Sequence, residues 1–402
     1  MDPVFLKLSE KGSWLGSYSN AFSVTVGKLI TFGESNMNHS SRISQLRSML
    51  DESSGEILIV SNLTNIRYLT GFTGSAGLLI VSSNRHNSAV PALLLTDGRY
   101  QEQSARETKE CQQFLDIFIG SPERQIESAV KFIGSSTKTM IDPYTTTVAQ
   151  FNKWTDSLGN RPLESEVGIE TLRRIKDSDE IELIRKASRI ADKALIETLP
   201  QLLHSPTEVE FAAELDYNMR KLGAEGPSFE TIVASGENSA MPHARPTLKT
   251  IREGEVVVID FGATVEGYHS DCTRTYYLAS QAPAEFDRAY NAVSEAQHLG
   301  CQAAAKEVEI SRIDKTCRET LDSYGMLELF THGTGHGVGL EIHELPWVSS
   351  GNSIPLEQGD VITVEPGVYL EGKFGIRIED TLAINQDSFE QLTQIAKSPY
   401  LA

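Results

Sequence analysis

The segment Glu255–Gly262 reads Glu-Val-Val-Val-Ile-Asp-Phe-Gly, so a wholly apolar stretch ends in an acidic side chain. A short continuous apolar run is typical of a β-strand that is buried on both faces. Removing an unpaired carboxylate from water costs several kcal/mol, so Asp260 must be ion-paired or must bind a cation. Asp271 follows eleven residues later, on the return strand of an apparent hairpin over residues 269–277. Two opposed strands can bring these carboxylates onto one face.

Two more acidic residues occur in the same setting. The apolar run Val361–Val364 ends at Glu365, and a later predicted strand carries Arg377 and Glu379 on one side. Arg274 and Arg377 could neutralise two of the four acids, which leaves the others without a basic partner. We therefore interpret the four carboxylates as a cation-binding set.

Histidines are concentrated near these acids. Of nine in the chain, four lie in segments rich in glycine or proline, namely His243 and the group His332, His336 and His343. The glycines of residues 333–339 match neither the spacing of a dinucleotide fingerprint nor that of a nucleotide P-loop. We expect instead that these glycines allow backbone and metal to approach each other closely.

Four carboxylates and one imidazole are better ligands for a pair of hard divalent ions than for zinc, which favours sulfur-rich sites. Two such ions lie about 3.5–4 Å apart, share bridging carboxylates and hold a hydroxide at neutral pH. The remaining histidines are then available to orient a substrate, to move protons or to stabilise an oxyanion.

Composition limits the classes of partner. The chain has 402 residues, with 36 Lys and Arg against 55 Asp and Glu, a formal charge of −19. A nucleic-acid-binding protein needs a basic surface, and an anionic membrane repels this charge, so neither partner is expected. No apolar run approaches the ~18 residues of a transmembrane helix. The four cysteines are far apart, which predicts free thiols in a reducing cytoplasm.

The length predicts two or three domains. Residues 1–40 are interpreted as a flexible leader, within which Met37 could be the true start. Short apolar runs separated by helical stretches predict an α/β domain over residues 41–165, followed by a second domain over residues 166–402.

Start and stop signals predict helices in the second domain. Asp177 and Glu180 have the spacing of a capping box. Ser205, with Pro206 after it, predicts the cap of a second helix that stops at Gly223. Further helices are expected at about 283–305 and 311–324, and strands over 255–278 and 361–385.

The order of these residues resembles the pita-bread metallopeptidases, which include methionine aminopeptidase, aminopeptidase P and prolidase. The resemblance rests on short sequence motifs at residues 242–244, 260–262, 270–275, 335–340, 342–346, 364–367 and 377–381. Residues 67–72 and 96–100 resemble the N-terminal domain that prolidase, aminopeptidase P and creatinase share. The resemblance implies an α/β (α+β) chain with a creatinase-like N-terminal domain and a C-terminal pita-bread catalytic domain.

The resemblance also implies a role for each acidic residue and for one imidazole. Asp260 corresponds to a ligand of the first metal, and Asp271 and Glu379 correspond to bridging ligands. His336 corresponds to the sole imidazole ligand, on the second metal. Glu365 corresponds to a second-metal ligand that is also the general base for the bridging water.

Other positions correspond to residues around the metals. His243, His332 and His343 match the substrate-binding and transition-state histidines, and Arg377 matches the arginine beside the metal centre. The family implies two divalent cations, with manganese expected and cobalt or zinc as alternatives. It also implies peptide substrates with proline in second position, and a homodimer or homotetramer.

Three functions remain open within this resemblance. The retained ligands favour an enzyme over a non-catalytic peptide-binding member, and the added N-terminal domain disfavours methionine aminopeptidase. Prolidases place an arginine just after the His-Glu segment to hold the dipeptide carboxylate, whereas Leu345–Val348 contains none. We therefore predict an Xaa-Pro aminopeptidase, with an Xaa-Pro dipeptidase as the alternative.

Overall fold

The computed structural model describes residues 37–86, 88–136 and 138–401. The predicted leader lies outside the described residues except for positions 37–40. The first helix begins at His39, two residues before the predicted Ser41, because the side chain of Asn38 accepts a hydrogen bond from the Ser41 backbone and caps the helix.

Helices and short strands alternate in the first half, as the sequence predicts. The helices are α1 (His39–Glu52), α2 (Leu63–Thr70), α3 (Gln101–Glu107), α4 (Pro122–Ile133), α5 (Val148–Leu158) and α6 (Ile169–Arg174). The strands are β1 (Ile57–Val60), β2 (Leu78–Ser82), β3 (Ala92–Thr96), β4 (Leu115–Ile119), β5 (Thr139–Ile141) and β6 (Leu163–Glu164).

Six of the described strands form one mixed sheet in the order β4-β3-β2-β1-β5-β6. Strand β1 is antiparallel to β2 and parallel to β5. Its residues alternate between two apolar layers, with Ile57 and Ile59 packed in a cluster that contains Trp154 of α5. Leu58 and Val60 belong to the larger cluster on the other face. The sheet is therefore buried on both faces, which explains its uninterrupted apolar strands.

The second half contains four longer helices and a larger set of strands. The helices are α7 (Ser178–Thr198), α8 (Glu208–Lys221), α9 (Ala284–Ala303) and α10 (Ile310–Ser323). The strands are β7 (Gly226–Pro227), β8 (Ile232–Ser235), β9 (Val256–Phe261), β10 (Ala263–Val265), β11 (Tyr268–His269), β12 (Cys272–Tyr277), β13 (Gly335–Gly337), β14 (Glu344–Val348), β15 (Val361–Val364), β16 (Gly367–Leu370), β17 (Phe374–Arg377), β18 (Asp380–Ile384) and β19 (Phe389–Gln391).

Two antiparallel sheets organise this half, one in the order β12-β9-β8 and the other in the order β14-β13-β15-β18-β19. Helices α7 and α8 pack on each other, as do α9 and α10. The first helix pair shares an apolar cluster with Val257 and Ile259 of β9, and the second pair shares one with Ile362 and Val364 of β15. Each helix pair thus buries a strand that leads to one of the predicted acidic residues.

Local capping agrees with the sequence at one helix start and differs at the next. Asp177 and Glu180 form the predicted capping box at the start of α7. The predicted cap of α8 was wrong, because Thr207 rather than Ser205 accepts the hydrogen bond from the Glu210 backbone. Ser205 instead adopts a left-handed conformation with φ of 51°, and the helix starts two residues later than expected.

The cysteines of the chain are all free and buried, as their spacing predicts. Among the described residues, no helix is both long and apolar enough to cross a membrane.

Candidate active site

The strands of the first antiparallel sheet bring two of the predicted acids together. Asp260 is near the end of β9, and Asp271 immediately precedes β12. These strands are antiparallel, with Thr273 opposite Asp260. The hairpin predicted from the sequence therefore forms and carries both carboxylates to the same end of the sheet.

The second sheet contributes the other two acids. Glu365 follows β15 directly, and Glu379 directly precedes β18, whose residue Asp380 lies opposite Val364. The sequence placed Glu379 on one strand with Arg377, but β17 ends at Arg377 and Glu379 lies in the link to β18. Carboxylate oxygens of Asp260, Asp271 and Glu379 all lie within 4.8 Å of one another.

His336 lies on β13 beside this cluster. Its Nε2 atom is 3.3 Å from Oε1 of Glu365 and 3.6 Å from Oδ2 of Asp271. Its Nδ1 atom is 3.0 Å from the carbonyl oxygen of Gly337. Because a carbonyl oxygen can only accept, Nδ1 carries a proton, and Nε2 is the ring nitrogen that faces the two carboxylates.

The charges in this cluster are unbalanced without a cation. Burial and the neighbouring carboxylates raise the pKa values of Asp271 and Glu379 well above their ordinary range. Burial also raises the pKa of Asp260, although Arg377 opposes this shift. Burial alone would raise the pKa of Glu365, but its hydrogen bond with His336 lowers that pKa to about 2.

The oxygen and nitrogen atoms of the cluster are suitable ligands for divalent metal ions. Oε1 of Glu379 is buried and has no hydrogen-bond partner within residues 37–86, 88–136 and 138–401, although its carboxylate belongs to the group of three. Carboxylate oxygens and one imidazole nitrogen are ligands that hard divalent cations accept. A carbonyl that fixes the other ring nitrogen, as Gly337 does for His336, is a common support for a metal-ligating histidine.

One of the two predicted arginine partners was wrong. Arg377 pairs with Asp260, with Nη2 at 2.6 Å from Oδ2. Arg274 instead pairs with buried Asp380 at 2.8 Å, and its hydrogen bond to Glu379 is to the backbone carbonyl of that residue. Because Glu379 and Asp380 are adjacent and both are buried, the sequence could not show which of the two carboxylates Arg274 would reach.

Tyr369, which the sequence did not single out, connects Arg377 to His332. Nη1 of Arg377 donates to the Tyr369 hydroxyl at 2.9 Å, and that hydroxyl lies 2.9 Å from Nε2 of His332. Nδ1 of His332 faces the carbonyl oxygen of Gly333 at 2.8 Å. The neutral ring therefore accepts the hydroxyl proton at Nε2, and burial lowers the pKa of His332, which favours this neutral form.

The acidic cluster opens into a cavity of about 550 Å³. His243 and His343 are exposed and line it, together with Trp347. The rings of His336 and His343 meet edge to face, with centroids 4.3 Å apart. The structure thus brings together the predicted site residues Asp260, Asp271, His336, Glu365, Glu379, His243, His332, His343 and Arg377.

The glycines around His336 have a different role from the expected one. A Cβ atom at Gly335 would collide with the carbonyl oxygen of Thr363, and one at Gly337 would collide with that of Leu345. The neighbouring strands β15 and β14 therefore require glycine at these positions. Close strand packing, rather than close approach to a metal, explains both residues.

This packing predicts the effect of an added methyl group at Gly335. We expect Gly335→Ala to lower the free energy of unfolding by about 1–3 kcal/mol, since backbone atoms must move. At Gly333 the nearest atom to an added Cβ is at 3.5 Å, an ordinary contact, so Gly333→Ala is the matched control. Chemical denaturation of both variants measures the difference, and equal stabilities would contradict the packing argument.

Comparison with known proteins agrees with this arrangement. The model of metallopeptidase family M24 matches residues 182–386, and the model of the creatinase/prolidase N-terminal domain matches residues 42–175. The chain belongs to metallopeptidase family M24 and carries the creatinase/prolidase N-terminal domain in front of it.

Proteins named dipeptidase and proteins named aminopeptidase both match nearly the whole chain. The structure of an Xaa-Pro dipeptidase from Bacillus anthracis is 33% identical, with a TM-score of 0.84 over 90% of this chain and 100% of that chain. The structure of an X-Pro aminopeptidase from Thermotoga maritima is 35% identical, with a TM-score of 0.78 over 87% and 98%. An Xaa-Pro dipeptidase of Pyrococcus furiosus is 34% identical over 88% of this chain and 97% of its own length.

Proposed function

We propose that this metallopeptidase hydrolyses the Xaa-Pro bond at the N-terminus of peptides, with two divalent cations bound by Asp260, Asp271, His336, Glu365 and Glu379. The single observation that carries the proposal is the convergence of three carboxylates within 4.8 Å, beside Nε2 of His336, at the base of a cavity. When bound, the cations polarise the scissile carbonyl and activate water near neutral pH.

The side chains around this centre have separable tasks. Glu365 is ionised at neutral pH, because its pKa is about 2, and accepts the proton of the attacking water at a carboxylate oxygen. Arg377 fixes the Asp260 carboxylate and, through Tyr369, the ring of His332. His243 and His343 line the cavity, where an imidazole can orient the substrate carbonyl or donate a proton to the leaving nitrogen.

Proline in second position fits a wide cavity. The Xaa-Pro bond has a tertiary amide nitrogen, which has no N–H to offer a backbone carbonyl, and its ring prevents extended-strand binding. The leaving nitrogen therefore needs room for a ring and an external proton. A cavity of about 550 Å³ with Trp347 in its wall provides the room, and His343 in the same wall provides the proton.

The preferred length of the peptide depends on whether the cavity binds the C-terminal carboxylate of a dipeptide. Residues 345–348 contain no arginine, which supports an aminopeptidase that acts on Xaa-Pro-Yaa peptides. One observation favours the dipeptidase alternative. Arg245 lines the cavity with an exposed side chain, paired with exposed Glu230 at 3.2 Å, so it could bind a dipeptide carboxylate instead.

Three substrates separate these alternatives in the manganese-loaded protein. We expect Xaa-Pro-Yaa to be cleaved with at least about 10-fold higher kcat/KM than Xaa-Pro, and Xaa-Pro-amide to be cleaved like the longer peptide. Arg245→Met should leave cleavage of Xaa-Pro-Yaa unchanged. A strong preference for Xaa-Pro that disappears both in Xaa-Pro-amide and in Arg245→Met would establish the dipeptidase alternative.

Three finer features belong to the same proposal. Manganese is the proposed metal, with cobalt and zinc as alternatives, because oxygen-rich ligand sets suit manganese. A homodimer or homotetramer and a cytoplasmic location complete the proposal.

A further inference from the structure

The loop that presents His243 to the cavity is fastened at both ends to one buried carboxylate. This segment, residues 236–246, follows β8 and is called the His243 loop below. It lines the cavity with residues 242–246. Ser235 precedes the loop, Thr247 follows it, and both bind Glu208 at the start of α8.

Glu208 accepts hydrogen bonds from the residues that flank the loop at both ends and from one residue inside it. Its Oε1 atom accepts from the backbone and the hydroxyl of Ser235, both at 2.7 Å. Its Oε2 atom accepts from the backbone of Thr247 at 3.0 Å and from the Thr247 hydroxyl at 2.6 Å. The amide of Asn238, inside the loop, donates to both oxygens at 3.1 Å.

These hydrogen bonds stabilise the charge of a buried acid. Glu208 is fully buried and forms no ion pair among the described residues. Burial would raise its pKa, but hydrogen bonds from Thr247 and Ser235 lower the pKa overall, so Glu208 is ionised. Two groups reinforce the arrangement, since Lys249 donates to the Ser235 hydroxyl at 2.7 Å and the N-terminus of α8 favours a negative charge.

The tip of the loop is tied to the metal-binding side of the cavity. The carbonyl oxygen of Pro242 accepts a hydrogen bond from Nη1 of Arg377 at 3.2 Å. The hydroxyl of Ser239 accepts from the backbone of Gly375 at 2.9 Å. The residue next to His243 therefore touches the arginine that holds Asp260, while Glu208 closes the base of the same loop.

We propose that Glu208 is a positioning residue for substrate binding, which fixes the His243 loop so that His243 faces the acidic cluster. The inference rests on the proposed Xaa-Pro hydrolysis for its kinetic readout, but its structural readout does not. Of the described residues, those that line the cavity or form the acidic cluster do not include Glu208, so its effect passes through the loop.

The test compares Glu208→Gln with Glu210→Gln. Glu210 is two residues away on the same helix, is exposed and, in the part of the chain that the structure describes, forms side-chain hydrogen bonds with Thr207 alone, so its amide variant is a matched control. Glu208→Gln places an amide donor against backbone and hydroxyl donors. We expect it to raise KM for Xaa-Pro-Yaa by roughly 10-fold or more, with kcat changed less, and Glu210→Gln to behave as the wild type.

Two further measurements separate positioning from general destabilisation. Hydrogen–deuterium exchange of residues 236–246 should rise in Glu208→Gln, while exchange in β9 and β15 stays unchanged. Glu208→Gln should also add little to the loss caused by His243→Ala, since both act through the same imidazole. Thr247→Val, which keeps the backbone bond and removes one hydroxyl, provides a milder variant if Glu208→Gln fails to fold.

The outcomes distinguish the two proposals. If the wild type cleaves no Xaa-Pro peptide, the proposed function fails, and loop exchange still tests the role of Glu208. If the wild type is active but Glu208→Gln matches Glu210→Gln in KM and in loop exchange, the positioning role is overturned. Additive losses in the double variant with His243→Ala would overturn it as well.

Discussion

We expect Glu365→Ala to lower kcat for Xaa-Pro hydrolysis by a factor of about 1,000 or more and to reduce the number of bound cations. Both effects are expected because the proposed function gives this one carboxylate two tasks, to bind a cation and to accept a proton during water attack. Steady-state kinetics and elemental analysis of the dialysed protein measure them together.

An exposed acid on the neighbouring hairpin provides the control. Glu371 is exposed and lies between β16 and β17, outside the residues that line the cavity. Glu371→Ala should keep the activity and the metal content of the wild type. The assignment of Glu365 is wrong if hydrolysis and metal content both survive its replacement by alanine.

We expect removal of the cations to abolish hydrolysis and to make stability dependent on pH. The pKa values of Asp271 and Glu379 are raised in the fold, so the folded chain binds their protons more tightly than the unfolded chain does. In chelated protein this contribution is fully present below the ordinary carboxyl pKa of about 4 and is lost as pH rises through the raised values. Thermal unfolding at a series of pH values should show this decline.

Adding metal should reverse both changes. A cation that binds only the folded state stabilises it by about 2.7 kcal/mol for each site at a concentration 100 times Kd. The melting temperature at pH 7 should therefore rise with added Mn²⁺, and hydrolysis should return. Glu379→Gln removes one buried charge, so its chelated form should lose less stability with rising pH than the chelated wild type. A chelated protein with full activity would contradict the account.

The sequence predicted the elements of the fold well where apolar runs were short and bounded. Strand β15 has the bounds that its apolar run suggested, and the hairpin of β9 and β12 forms as expected. The predicted acids were found because an acidic residue at the end of a buried strand is costly unless it is paired. The same cost led to Glu365 through the apolar run of β15.

Contacts between distant segments could not be read from the sequence. Tyr369 reaches His332 only because the hairpin of β16 and β17 places its hydroxyl beside Arg377. The sequence predicted a helix that starts after Ser205, but the hydrogen bonds of Glu208 to Ser235 and Thr247 depend on where α8 packs. The reason for glycine at 335 likewise appears only when β15 lies alongside β13.

The central claim, that the acidic cluster binds two divalent cations, is tested most directly by calorimetric titration of the chelated protein with Mn²⁺. The account predicts two cations bound for each wild-type chain, and weakened binding in Asp271→Asn, which alters a carboxylate at the centre of the cluster. Absence of binding to the wild type, or identical binding by Asp271→Asn, would contradict it.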